Sequence, residues 1–181
     1  MAENTPVSGR PNDPANVKEQ AMKRLSKLVA NLFGKDVDNS AKFLAGIVAA
    51  ESDYGQHPNT NRKGYYGGPW QVNEVAFRAT QDLKSHPGLA KYHEMFRKKY
   101  GVDWMTVKWS QLRNPFFSAS AARLYHLTKP KAIPSTRLGR AKAWKDEHNT
   151  KAGKGTVERY LESSDPNMSS VDFFQKARNL V

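Results

Sequence analysis

The sequence predicts a mainly α fold in a single domain, and three observations carry that prediction. Apolar residues recur at helical spacing in several segments, the first carrying Ala21, Leu25, Leu28, Val29 and Leu32 on one face. No stretch alternates apolar and polar residues as a half-buried strand does, and no internal repeat is visible. The chain has 181 residues and no cysteine. That length buries a core without disulfides, and the composition excludes thiolate chemistry and a Cys-based zinc site.

Residues 1–16 are polar and proline-rich, and are expected to form a disordered or extended arm. A helix is predicted from Val17 to Phe33, stopped by Gly34. The next helix can be capped by Asp38, Asn39 or Ser40 and runs to about Asp53, with Gly55 as its stop. Gln56 to Gly68 reads as a loop. Helices are expected over Asn73–Leu83 and Gly88–Tyr100, followed by an apolar patch of Trp104, Met105, Val107 and Trp109. Asn114-Pro115 is a helix start, with Asn as cap and Pro in the first turn, and Phe117, Ala121, Leu124 and Tyr125 follow on one face. Lys129 to Arg140 is a basic loop, and Ala141–His148 and Thr156–Leu161 read as short helices. Ser169 or Ser170 can cap a last helix carrying Val171, Phe174 and Ala177.

Lys and Arg number 29 against 17 Asp and Glu, a formal net charge of +12. Such a surplus favours polyanions: nucleic acid, anionic lipid or a bacterial wall with its carboxylates and teichoic acids. A helix-turn-helix and a base-reading arginine cluster are both lacking, so specific nucleic-acid recognition is not expected. No run approaches the roughly 20 apolar residues of a transmembrane helix. The five histidines form no H-E-x-x-H or H-x-H pattern, so neither a metal nor another cofactor is expected.

Glu51 is the residue that points to chemistry. It lies four residues after Ile47 and three after Val48, so it continues the apolar stripe of Phe43, Leu44, Ile47 and Val48 at the point where the helix opens onto a glycine-rich loop. Apolar surroundings favour a protonated carboxyl group, the form a general acid needs to protonate a glycosidic oxygen. Taken alone, a helix-terminal Glu facing solvent is the commoner arrangement.

The neighbouring motifs tip the balance. Ala49-Ala50-Glu51-Ser52-x-x-Gly55, followed by Gly68-Pro69-Trp70-Gln71-Val72, resembles the soluble lytic transglycosylase and goose-type lysozyme group. In that group a helix ends in Glu-Ser, and a Gly-Leu-Met-Gln-Ile segment follows about twenty residues later. Asn114-Pro115 looks like the group's Asn-Pro segment. Glu147-His148-Asn149, with the Ala152-Gly153 to Leu161 stretch after it, stands where the group has Ala-Tyr-Asn-Ala-Gly before a helix. The four segments keep the group's order over roughly residues 40 to 162.

The resemblance implies a lysozyme-like fold over 35–165, and leaves the helix at 17–34 and the C-terminal helix over 166–181, both read from apolar spacing, outside it. It implies peptidoglycan as substrate, cut at the β-1,4 bond between N-acetylmuramic acid and N-acetylglucosamine with Glu51 as the single catalytic acid and base. The muramoyl C6 hydroxyl attacks C1 and closes a 1,6-anhydro ring. A water-using lysozyme would need a second carboxylate. Asp53, Asp82 and Asp103 are the candidates, and nothing in the sequence sets any of them opposite Glu51.

Ser52, Tyr65, Tyr66, Gly68, Trp70, Gln71, Tyr125, His148 and Asn149 are the expected substrate-binding residues. Gly67 and Gly68 would let the backbone approach a sugar closely, and the two tyrosines and Trp70 would offer stacking faces. Gln71 can bind an N-acetyl group or hold a neighbouring loop, and Tyr125 can belong to the core instead. Two departures stand out. Pro69-Trp70 replaces the group's Leu-Met. His148 replaces the tyrosine that hydrogen-bonds the catalytic Glu, which predicts a pH optimum at neutral or above.

A basic wall-cleaving protein with neither cysteine nor a visible signal peptide suggests a bacteriophage enzyme. It would act from the virion, opening the wall locally as the genome is delivered, with the N-terminal segment bound to other virion proteins. An endolysin, or an inactive structural tail protein that keeps the fold, is the alternative.

Overall fold

The computed structural model describes residues 13–149 and 155–164. The expected arm over residues 1–12, the stretch 150–154 and the expected helix at 166–181 lie outside the described residues. Among the described residues the secondary structure is helical, with no strand. Within them seven α-helices run in order: α1 Pro14–Phe33, α2 Val37–Ser52, α3 Glu74–Ala79, α4 Ala90–Tyr100, α5 Pro115–Leu127, α6 Arg137–Ala143 and α7 Val157–Ser164.

Helix α1 starts three residues before the apolar pattern does, because Asp13 accepts the Ala15 N–H and Pro14 opens the first turn. It ends at Gly34, as expected, in the left-handed region at φ 68°. The helix is part of the domain rather than an appendage. It packs on α2 and α5, and Val29, Ala30 and Phe33 are buried with the rest of the core.

Helix α2 begins at Val37, so none of Asp38, Asn39 and Ser40 is its cap. Asp36 precedes it in a left-handed conformation and makes no side-chain capping bond. The helix also ends earlier than Gly55. Asp53 and Tyr54 both turn left-handed, at φ 49° and 54°, and their N–H groups return to Ala49 and Val48. Ser52 Oγ holds this turn, donating to the Val48 carbonyl at 3.1 Å and accepting the Gly55 N–H at 2.8 Å. Left-handed non-glycine residues cost on the order of 1 kcal/mol each, so this exit from α2 is fixed by surrounding contacts.

Phe43, Leu44, Ile47 and Val48 form the buried face of α2. Gly46 opens the opposite side: a Cβ there would stand 2.1 Å from the Tyr160 hydroxyl oxygen. Only hydrogen at this position lets α7 lie against α2, and Tyr160 then donates to the Phe43 carbonyl at 3.3 Å.

Helix α3 stops at Ala79, short of Leu83, because the following residues serve another contact. Gln81 turns inward and donates to the carbonyls of Trp104 and Val107 at 2.8 and 2.9 Å, while Trp104 donates its indole N–H to Thr80. Trp104 is fully buried and stacks on Phe96, but Met105 is half exposed, so the expected apolar patch is split. Asn114 caps α5 as expected, accepting the Phe116 N–H. The basic loop is shorter than expected: Thr136 accepts the Gly139 N–H and starts α6. After α6 the chain widens into a π-helical segment, Trp144–Asn149. Among the described residues no helix is long and apolar enough to cross a membrane.

Candidate active site

Glu51 occupies the last turn of α2, where its side chain is 15 % exposed. It opens into a cavity of about 200 Å³ lined by Ala50, Glu51, Trp144, Asn149, Gly155 and Arg159. Trp144, itself buried, donates its indole N–H to Glu51 Oε1 at 2.9 Å. Asn149 Oδ1 accepts from the Gly155 N–H and from Lys145 Nζ. Arg159 donates Nε–H to the Ala50 carbonyl at 2.8 Å, which ties α7 to the end of α2.

His148 is buried one helical turn beyond Trp144. It donates Nε2–H to the Trp70 carbonyl at 2.9 Å, and the same nitrogen stands 3.9 Å from Glu51 Oε1. Burial holds the imidazole pKa below its ordinary value, against the opposing pull of the Glu51 charge. The neutral ring therefore has its proton on Nε2 and faces the acid without bonding to it. The hydrogen bond expected from position 148 comes from Trp144 instead.

Of the expected site residues, Glu51 and Asn149 line this cavity, and His148 is buried beside Glu51 without reaching it. Three others belong to the interior. Trp70 is 0 % exposed and donates its indole N–H to the Leu44 carbonyl, so neither face is open to a sugar. Ser52 is fully buried and spends its hydroxyl on the exit turn of α2. Gly68 is buried at φ 64°, and a Cβ there would stand 1.8 Å from the Leu112 carbonyl oxygen. The glycine serves a backbone crossing at Leu112, just ahead of α5, rather than a close approach to substrate. Gly67 is likewise packed, against Val72 and Tyr65. The Trp70 N–H donates to Ser118 Oγ, and Ser118 donates to the Gly67 carbonyl, so the turn is clamped to α5.

Gln71 takes the loop-holding role. Its amide donates to the carbonyls of Thr60 and Gly68 and accepts from Arg62. Tyr65 donates to the Gln71 carbonyl at 2.6 Å, and Arg62 lies over its ring. Burial pushes the Tyr65 hydroxyl up to about 12, with Arg62 pulling it down and the Glu51 charge adding to the rise. Tyr65 and Tyr66 both set their rings edge-on to Trp109, leaving them half-buried beside the loop. Tyr125 is half-buried and accepts from Lys129 Nζ at 2.9 Å, with its ring 6.5 Å from that of His148.

None of the candidate second carboxylates lines the cavity. Asp53 is exposed beyond the end of α2, Asp82 accepts the Ser85 N–H and Asp103 accepts the Met105 N–H. No group of three or more side chains suited to a metal ion occurs among the described residues.

Trp144 and Arg159 went unrecognised in the sequence. Trp144 follows Ala141 and Ala143 in a short predicted helix rich in charged residues, where a lone indole reads as core, and its partner is 93 residues away. Arg159 sits in a stretch with clear helical character and gave no separate signal. No family model, curated protein or solved structure matches the chain.

Proposed function

We propose that this protein is a lytic transglycosylase with a lysozyme-like fold, cleaving the β-1,4 bond between N-acetylmuramic acid and N-acetylglucosamine in peptidoglycan. The observation that carries the reading is Glu51: a shielded carboxyl group at a cavity, holding the Trp144 N–H, with no other carboxylate among the described residues that line it. A single acid with no partner suits a mechanism in which the substrate supplies the nucleophile. Glu51 gives its proton to the glycosidic oxygen as the bond to C1 breaks. The resulting carboxylate then takes the proton of the muramoyl C6 hydroxyl as that oxygen bonds to C1. Glu51 ends protonated, ready for the next bond. The Trp144 N–H stabilises the carboxylate stage, since a donor to a charged oxygen is worth more than one to a neutral group.

The order of the four sequence segments and the all-helical architecture support the same reading. So does the surplus of basic residues, which suits an anionic wall. In this proposal the enzyme is carried by a bacteriophage virion and opens the wall locally, with the exposed side of α1, where Val17 and Leu28 stand out, meeting other virion proteins. Asn149, which lines the cavity, would touch the glycan in this proposal.

Mass spectrometry of muropeptides released from purified peptidoglycan by wild type and Glu51→Gln tests the reading. The expected products are 1,6-anhydromuramoyl species, absent with the variant. Reducing-end products, also lost in the variant, would instead make the protein a lysozyme, and release of nothing by wild type would assign the fold to a structural role.

A further inference from the structure

A second cavity, of about 340 Å³, opens where the end of α5 meets the start of α2, away from the one that holds Glu51. Lys35, Ser40, Arg123, His126, Lys129 and Lys131 line it, and Asp36 supplies the one carboxylate among four cationic side chains. Arg123 is the telling member. The residue is 6 % exposed, yet its Nε has no hydrogen-bond partner. Tyr92 and Asp36 act on it only through their charge, and its guanidinium stands 5.8 Å from the centre of the Phe33 ring. A buried guanidinium left without an anion is strongly unfavourable, and proteins seldom keep one unless something pairs with it. The start of α2 adds to the same field. Its first-turn amides carry no side-chain cap, and the positive end of the helix dipole lies beside Ser40 and Asp36.

We propose that this cavity binds a phosphate group, with Arg123 as its principal ligand and Lys35 and Lys131 completing the charge. Phosphate is favoured over a carboxylate because four cations against one acid match more than a single negative charge, and a guanidinium offers paired donors to tetrahedral oxygens. The cavity is larger than a phosphate ion alone, which leaves room for an esterified group. The proposal stands independently of the reaction at Glu51.

Thermal unfolding of the full chain in phosphate-free buffer, titrated with inorganic phosphate, tests it. At a hundredfold excess over Kd the Tm is expected to rise by about 5–10 °C. Sodium chloride at matched ionic strength should give no comparable rise. Arg123→Met is expected to fold at least as well as wild type without phosphate, because it removes an unpaired buried charge, and to lose the phosphate-dependent rise. Lys131→Gln, on the exposed loop, should weaken phosphate binding about three- to tenfold by removing one charge near the ligand, and Lys63→Gln, outside the cavity, should leave it unchanged. Glycerol 3-phosphate binding at least as tightly as the free ion would assign the site to an esterified phosphate, and binding of the free ion alone would assign it to that ion. An equal rise with chloride or with acetate, or a phosphate response that survives Arg123→Met or falls equally in Lys63→Gln, overturns the proposal.

Discussion

Acid should unfold this protein earlier than its carboxylates alone require, and His126 is the cause. The residue is 4 % exposed, set edge-on to Phe43 and stacked on the His148 ring at 5.6 Å. Neither of its ring nitrogens has a hydrogen-bond partner. Glu147 Oε2 approaches Nδ1 to 3.5 Å without completing a bond. Burial therefore outweighs the pull of Glu147, and the imidazole pKa falls from 6.5 to about 4. Between those two values the unfolded chain holds a proton on His126 that the folded chain does not. Stability is full above pH 6.5, declines as pH falls through the window, and levels off below about 4. A gap of this size at ~1.36 kcal/mol per unit amounts to about 3 kcal/mol. His148, whose pKa is lowered for the same reason, adds in the same direction. The test is urea unfolding followed by circular dichroism from pH 7.5 to 4, in phosphate-free buffer, for wild type and His126→Leu. At pH 7.5 the two should lie within about 1 kcal/mol, since leucine loses some shape but removes two unpartnered nitrogens. At pH 4 the variant should be ahead by about 3 kcal/mol relative to that baseline. Parallel pH dependences would refute the reasoning.

Trp144→Phe removes the donor to Glu51 while keeping an aromatic ring, and a hydrogen bond to a charged group is worth ~1.5–3 kcal/mol. On the proposed reaction, kcat for muropeptide release should fall about 10- to 100-fold in a protein that still folds, with Tm lowered by the void the smaller ring leaves. Gly155→Ala should reach the same outcome by displacement, because its Cβ would come within 2.4 Å of the Trp144 ring and 2.7 Å of the Asn149 amide; unchanged release would show that the indole position does not matter. Ser118→Ala strands the buried Trp70 N–H and Gly67 carbonyl. It should lower the unfolding free energy by about 3 kcal/mol in urea melts.

What the sequence revealed and what it hid divide along a physical line. Helix existence followed from apolar spacing, and Asn114-Pro115 and Gly34 were readable because caps and stops are local chemistry. The position of Glu51 at the end of the buried face of α2 was readable for the same reason. Boundaries went astray where a distant partner took over. Gln81 left its helix to bond Trp104, and Tyr54 adopted a left-handed turn that a following glycine would have served more cheaply. The expected sugar platform failed on similar grounds. An indole beside glycines reads equally as a binding face or as a core plug, and the Leu44 carbonyl, 26 residues earlier, decides for the plug. Trp144 was hidden because its bond to Glu51 spans 93 residues.

The π-helical segment Trp144–Asn149 makes chain length the inherited quantity at this site. Its wide turn sets the Trp144 indole against Glu51 and the His148 ring against the Trp70 carbonyl within a single revolution. Wound as an ordinary α-helix at about 100° per residue, the same four steps from Trp144 to His148 would overshoot a full revolution by about 40°, turning His148 off the Trp70 carbonyl while leaving a sound helix. Exposed positions such as Asp146 can drift freely between descendants. The count of residues between Trp144 and His148 cannot, so relatives of this protein should be recognisable by that interval after the rest of the segment has diverged.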